Sequence, residues 1–309
     1  MTLPQNFIGV DVAKDWIDVF CFSTRKRERI VTTKPALARF ARAARGCLVV
    51  LEASGGYERP LTEALARAGT DYARVNPRQA REYARASGRL AKTDRVDAEV
   101  LAGMGRALEL KPTSPVSADR SRLADLVARR DDLVTTIRRE KNRAGQTRDR
   151  WIAREIARLR KVLQGHLAAV EAQIETLVAT CEGLAEQSRR LRSVPGIGPA
   201  VSAALLARLP ELGQLDRRQI ASLAGLAPHA CDSGTHRGKR RIWGGRADLR
   251  RALYIAAFIA SRYDPTLKAF RKRLQDAGKP FKLAITACAR KLLTILNAMF
   301  RDQSDYRAA

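Results

Sequence analysis

A chain of 309 residues with 45% hydrophobic content can build two folded domains or one large one, which excludes a disordered tail. The 58 Lys and Arg against 32 Asp and Glu give a net charge of +26, which favours DNA or RNA over small acidic metabolites as partner. No long apolar segment and no secretory leader ahead of Asp11 are read, so no membrane partner is expected. The cysteines, Cys21, Cys47, Cys181, Cys231 and Cys288, are scattered and odd in number, with no zinc-ribbon spacing, and read as reduced and structural in a cytosolic protein.

In chain order, residues 7–12, 16–22 and 29–33 read as three strands of an antiparallel meander. Residues 35–45 read as a helix with Pro35 near its start. Residues 47–52 form a buried strand, since five of the six are apolar. Gly55-Gly56 breaks the chain before a helix at about 57–67. A strand at 70–75 follows, and Asn76-Pro77 opens another helix. Strands alternating with helices describe an α/β domain over roughly the first 110 residues.

Lys111-Pro112-Thr113-Ser114-Pro115 marks a boundary. Leu123, Leu126, Leu133 and Ile137, then Leu159, Val162, Leu163, Leu167, Val170, Ile174 and Leu177, recur at helical spacing, which predicts two long helices with a break near 145–152. A hairpin within one subunit and an intermolecular coiled coil both satisfy that pattern. Beyond Leu191, Ser193-Val194-Pro195-Gly196-Ile197-Gly198-Pro199 and the Ala/Leu helix ending near Leu209 resemble a helix-hairpin-helix. Its glycines would let backbone N–H groups approach phosphates, the alternative being a tight structural turn. Further helices are expected at about 216–224, 246–261, 264–276 and 280–300. The division is then 1–112, 113–190 and 191–309.

Four acids stand out in the first part. Asp11 ends the apolar run Phe7-Ile8-Gly9-Val10, and Glu52 ends the strand 47–52. Asp94 and Asp97 lie three apart, on one face of a helix that starts near Asp94. Taken singly, Asp11 could be a turn or cap residue, Asp94 a helix cap and Asp97 a complement to the helix's positive end. Glu52 puts a charge at the end of a buried strand, which is costly unless a metal or an arginine compensates it. Taken together, they suit two hard divalent cations acting on phosphodiesters, Mg2+ with Mn2+ as the alternative. No histidine precedes His166, so imidazole ligation is not available there. The order of strands and acids resembles the ribonuclease H-like fold of RuvC-type Holliday junction resolvases.

The last part carries Gly225-Leu226-Ala227-Pro228, then His229 through Arg241. Ser233 precedes a glycine and a cluster of cations. Its hydroxyl could attack phosphorus with Arg or Lys stabilising the transition state, or Ser233-Gly234 could be a loop turn ahead of a basic phosphate-binding segment. Thr235 and Cys231 are the less favoured nucleophiles. His229 and His236 flank Ser233 within reach of a proton-transfer role, against a surface or structural role. Residues 237–251 hold seven Lys or Arg against one acid, and 262–291 nine against two, densities that suit phosphate backbones. Lys239, Arg240, Arg241, Arg246 and Arg250 are the candidate nucleic-acid contacts.

Along nearly its whole length the chain resembles the bridge-RNA-guided insertion-sequence transposases, which pair a DEDD-type RuvC-like domain with a carboxy-terminal serine domain. The Piv-type DNA invertases share that architecture. The resemblance rests on Ile8-Gly9-Val10-Asp11-Val12-Ala13-Lys14, Leu51-Glu52-Ala53-Ser54-Gly55-Gly56-Tyr57, Asn76-Pro77, Lys92-Thr93-Asp94 and Asp97-Ala98. It continues through Pro195-Gly196-Ile197-Gly198, Gly225-Leu226-Ala227-Pro228, Ser233-Gly234 and Leu249-Arg250-Arg251-Ala252-Leu253. Many relatives have Gly-Asn before the Leu-Arg motif, where this chain has Gly244-Gly245-Arg246-Ala247-Asp248.

The resemblance implies an α/β ribonuclease H-like (RuvC-like) amino-terminal domain, central long helices or a coiled coil, and a mainly α-helical carboxy-terminal transposase domain. It places the metal ligands on Asp11, Glu52, Asp94 and Asp97 and the nucleophile on Ser233, which would form a phosphoserine-DNA intermediate. It further implies donor and target DNA, a bridge RNA, a homodimer assembling into a homotetramer, and a cytoplasmic, nucleoid-associated location in a bacterium. A Piv-like invertase and a metal-dependent structure-specific nuclease are the alternatives.

Overall fold

The computed structural model describes residues 6–89, 94–113, 117–230, 232, 234, 238 and 240–307, with the backbone alone at 94–96. The chain divides into two compact units, Met1–Pro115 and Val116–Ala309.

The first unit holds β1 (Asn6–Val12), β2 (Trp16–Cys21), β3 (Arg27–Val31), α1 (Lys34–Ala43), β4 (Cys47–Glu52), α2 (Arg59–Ala68), β5 (Tyr72–Val75), α3 (Pro77–Ala86) and α4 (Asp94–Ala107). The sheet order is β3-β2-β1-β4-β5. The turns after β1 and β2 are too short for a crossover, so β1, β2 and β3 form the expected antiparallel meander. β4 and β5 run parallel to β1 and its neighbour, with α2 as the crossover between them.

Both faces of the sheet are covered, which is why β4 reads as a continuous apolar run. Val10, Ile17, Val49 and Leu51 pack with Leu37 and Phe40 of α1 and with Leu61 and Leu65 of α2. Leu48, Val50, Ala73 and Val75 pack on the other face with Ala80 of α3 and with Leu101 and Met104 of α4. Gly9 lets α4 lie directly on β1: a Cβ there would sit 1.9 Å from the Ala98 carbonyl oxygen and 2.5 Å from the Ala102 nitrogen. At the other end of α4, a Cβ on Gly105 would meet Val50 at 2.6 Å and Phe7 at 2.9 Å. The helix therefore runs antiparallel to β1 and brings its first turn to the carboxyl end of the parallel strands. The arrangement is the ribonuclease H-like, RuvC-like one expected from the sequence.

The second unit is mainly helical: α5 (Ala118–Gln146), α6 (Arg150–Thr180), α7 (Glu182–Arg192), α8 (Pro199–Arg208), α9 (Arg217–Leu223), β6 (Pro228–His229), β7 (Arg241–Ile242), α10 (Ala247–Tyr263), α11 (Pro265–Asp276) and α12 (Phe281–Arg301). α5 and α6 are the two expected long helices. Asp149 caps α6 by accepting from the N–H groups of Trp151 and Ile152. Near the core Leu123, Val127, Ile174 and Leu177 are buried, whereas Trp151 and Val162 on α6 are 67% and 57% exposed. Periodicity up to residue 190 does not reveal that Cys181 takes an extended backbone, which ends α6 and starts α7 and lets Leu184 and Leu191 turn into the core.

The expectation of no long apolar segment needs correcting. α12, 21 residues long with an 18-residue stretch of mean hydropathy 1.4, is long and apolar enough to cross a membrane. Its Ile285, Cys288, Ala289, Leu292, Leu293 and Leu296 are buried in the core of the second unit, which accounts for the composition.

Candidate active-site residues

The register of the sheet places two of the four predicted acids. Val10 pairs with Leu51, so Asp11 and Glu52, each one residue on, occupy neighbouring positions at the carboxyl ends of β1 and β4. Strand alternation puts Asp11 on the face of Gly9 and Glu52 on the face of Val50, and both faces are the one α4 covers. Glu52 and Asp97 line one cleft of about 150 Å³ with Arg81, Arg85, Arg89 and Leu101. Asp94 is the first residue of α4, one turn before Asp97. Its side chain lies outside the described residues.

Asp11, Glu52 and Asp97 are each half-buried. All-oxygen donors of this kind suit Mg2+ or Mn2+, which keep waters as remaining ligands. Among the described residues, no group of three or more His, Cys, Asp or Glu is gathered closely enough to hold a metal ion. The donor set fits a hard cation in type, with Glu52 and Asp97 lining one cleft and Asp11 at the strand end beside Glu52.

Three further carboxylates escape a reading of the sequence. Asp18 lies directly across from Asp11 on β2 and is buried. Like charges opposite each other in a sheet repel. Arg29 on β3 answers this with two hydrogen bonds to Asp18, 2.9 Å from Nε and 2.7 Å from Nη2. Glu99 on α4 takes Arg89 at 2.7 Å and also pairs with Arg27 and, at 3.8 Å, Arg25. The hydrogen bond from Arg89 leads the causes that hold the Glu99 carboxyl below its ordinary value.

Glu58 shapes the loop after Glu52. It accepts from Gly56 N–H at 2.8 Å, from Ser54 Oγ at 3.0 Å and from Ser54 N–H at 3.2 Å, and Arg74 lies 3.7 Å away. Burial alone would push its carboxyl up, but these hydrogen bonds outweigh burial and hold it below the ordinary value. An acid inside a strand and an acid six residues after a strand end were the available signals.

In the second unit, the predicted nucleophile Ser233 and the predicted contact Lys239 lie outside the described residues. Around them, β6 and β7 pair as a two-residue antiparallel ladder, Pro228 with Ile242 and His229 with Arg241. The His229 and Trp243 rings meet at a tilt of 48° with centroids 4.9 Å apart. Within the loop, Asp232 accepts from Gly238 N–H at 3.0 Å and pairs with Arg240 at 3.0 Å.

The base of this hairpin is a close backbone crossing. Gly225 and Gly245 both have left-handed φ, +67° and +62°, and a Cβ on Gly245 would lie 2.2 Å from the Gly225 nitrogen. Arg250 donates to the carbonyls of Gly225 at 3.2 Å and Gly244 at 2.7 Å, clasping both ends. Arg246 donates to both carboxylate oxygens of Glu211 and to the Arg208 carbonyl, while its own N–H reaches the Leu223 carbonyl. These two predicted contacts thus carry intramolecular bonds, whereas Arg241 is exposed.

A RuvC-like sheet with acids at the ends of two adjacent strands and on the covering helix defines the class of DEDD-type nucleic acid enzymes. Residues 8–152 match the transposase family model DEDD_Tnp_IS110, and residues 188–272 match the model for the transposase IS116/IS110/IS902 family. The pilin gene-inverting proteins of Moraxella lacunata and Moraxella bovis are each 26% identical over 98% of both chains. A protein of the insertion element IS900 from Mycobacterium paratuberculosis is 34% identical over 50% of this chain and 39% of its own. The chain belongs to the IS110/IS902 transposases related to Piv-type DNA invertases, a transposase/recombinase enzyme family acting on DNA.

Proposed function

We propose that this protein cuts and rejoins the DNA of an insertion sequence, with Mg2+ or Mn2+ held by Asp11, Glu52, Asp94 and Asp97 and with Ser233 as nucleophile. The observation that carries the proposal is the meeting of Asp11, Glu52 and the acidic first turn of α4 at one edge of the sheet. A bound divalent cation would neutralise charge on the scissile phosphodiester and favour the leaving oxygen. The Ser233 hydroxyl gives up its proton and forms a bond to phosphorus. The displaced DNA oxygen leaves as a hydroxyl, and reversal with a new strand end restores the serine. Lys239, Arg240 and Arg241 hold phosphates beside the serine, and Arg246 and Arg250 act with them from the base of the hairpin.

The same proposal assigns residues 1–112 to the metal-binding domain, 113–190 to oligomerisation and 191–309 to the serine-containing domain. The exposed Trp151 and Val162 on α6 support pairing of subunits into a homodimer and then a homotetramer. A bridge RNA paired with donor and target DNA supplies sequence choice, in the bacterial cytoplasm at the nucleoid. A second reading, site-specific inversion, is favoured by one observation: the Moraxella pilin gene-inverting proteins match over 98% of both chains, whereas the insertion-element relatives match about half of this one.

The test incubates the protein with element-end DNA, target DNA, the flanking non-coding RNA and Mg2+, then denatures it and looks for protein-DNA adducts. An adduct lost in both Ser233→Ala and Asp94→Asn is expected. Cleavage without an adduct, retained in Ser233→Ala, would make the protein a metal-dependent structure-specific nuclease. Segments bounded by inverted recombination sites, flipped by the same preparation, would select the invertase reading.

A further inference from the structure

We infer that the face of α3 bearing Arg81 and Arg85 is a seat for the phosphodiester backbone of the DNA strand presented to the acidic edge of the sheet. The inference rests on the reading of that edge as the site of DNA cleavage, and it names two residues that direct the strand there. Arg81 and Arg85 line the same cleft as Glu52 and Asp97. Four residues apart on a helix, they project on one side, separated by about 6 Å along the axis. That is comparable to the separation of neighbouring phosphates on one strand.

Their neighbours are already occupied. Arg78 holds Glu82 at 2.8 Å, and Arg89 holds Glu99 at 2.7 Å. Arg81 and Arg85 are exposed and make no side-chain hydrogen bond or ion pair among the described residues. Two like charges set side by side on a helix repel each other, at a cost in free energy. An incoming polyanion would offset it.

The cleft also needs such groups. Glu52 and Asp97 repel a phosphate strand, and a cation held by them acts on one phosphodiester only. The adjoining phosphates need fixed positive partners, and a guanidinium grips phosphate through two parallel N–H bonds. Ala84, between the arginines in sequence and on the cleft side, adds little bulk that would keep a backbone from the helix.

The test measures binding of the full-length protein to a 20-base-pair DNA duplex and to an RNA duplex of the same sequence, without Mg2+, across a salt series. The variants are Arg81→Gln, Arg85→Gln and the double change, which keep helix propensity. Arg42→Gln, on α1 against the opposite face of the sheet, removes the same charge elsewhere. Each α3 variant is expected to lower the slope of log affinity against log salt for DNA by about 0.9, and the pair by about twice that. The adduct assay at saturating DNA is expected to slow on the order of tenfold to a hundredfold in the double variant, with much of the rate regained in Arg81→Lys with Arg85→Lys.

An unchanged DNA slope overturns the inference, as does an equal change in Arg42→Gln. A change confined to RNA assigns the face to RNA and overturns it too. If the wild-type protein formed no adduct and cut nothing, while the DNA slope still fell only in the α3 variants, the cleavage reading would fail and the DNA seat would stand.

Discussion

The acidic edge of the first unit and the base of the basic hairpin in the second hold their proposed reactive groups by different means. Asp11 and Glu52 sit at the ends of strands in the middle of a five-stranded sheet covered on both faces, and their spacing follows from ladder register. The segment around Ser233 has a ladder of only two residue pairs. Its ends are held by a glycine crossing and by arginines that donate to carbonyls. The proposed cation site, whose ligand distances would have to be met closely, rests on the stiffest element of its unit. The proposed nucleophile, Ser233, would have to meet a strand and later release it, which suits a segment fastened chiefly at its ends.

The largest effect should come from the stiff side. In Gly9→Ala the new methyl falls 1.9 Å from the Ala98 carbonyl oxygen, which is helix backbone and cannot rotate away. α4 must lift from β1, carrying Asp94 and Asp97 with it. Overpacking of this kind costs about 3 kcal/mol. Urea unfolding followed by hydrogen exchange in residues 6–107 should show that loss, with exchange in 117–307 unchanged. A Gly9→Ala protein as stable as wild type would mean the sheet edge is not rigidly coupled to α4.

Much of this stiff side was legible in the sequence. The run Cys47–Leu51 announced a buried strand, and an acid closing it announced a charge at a sheet edge. Strands alternating with helices announced an α/β domain. What stayed hidden depends on partners distant in sequence. Asp18 and Glu99 are tolerable near or in the core only because Arg29, Arg27 and Arg89 reach them from other elements. Local pattern carries no trace of an ion pair spanning 72 residues. On the hairpin, the run of cations was plain, but which of them face inward was not. Arg246 and Arg250 read like Arg241 until α10 places them against Glu211 and the glycine crossing. The break at Cys181 was hidden too, because heptad-like leucines continue through it.

The lightly fastened side gives the next effect. In Arg250→Lys the guanidinium Nη1 that donates to both carbonyls is removed, and at least one charge-assisted hydrogen bond is lost, about 2 kcal/mol. Because the loss sits at the hairpin base, amide exchange over 226–245 should quicken while the helices of the second unit stay protected. The salt slope of DNA binding separates two roles. An unchanged slope means Arg250 acts by holding the hairpin. A slope lower by about 0.9 means it contacts a phosphate directly, and the contrast between a clasped and a phosphate-facing arginine disappears.

The smallest effect tests how the loop after Glu52 is tied to the rigid sheet, and it is a pH effect. Glu58 carries a folded-state carboxyl held below its ordinary value of 4.5. A depressed carboxyl contributes stability that is fully present above the ordinary value and fades as pH falls through the folded one, because protonation removes the charge that the Ser54 and Gly56 donors favour. Glu58→Gln keeps the shape but not the charge, so it should cost about 1 kcal/mol at pH 7. The gap between wild type and variant should close below the ordinary carboxyl range. Parallel unfolding curves at pH 7 and pH 3 give that difference directly. A gap that persisted undiminished at pH 3 would assign the loop's order to the left-handed Gly55 and Gly56 rather than to the buried charge. The position of Glu52 would then be set by backbone geometry alone, as on the glycine crossing of the hairpin.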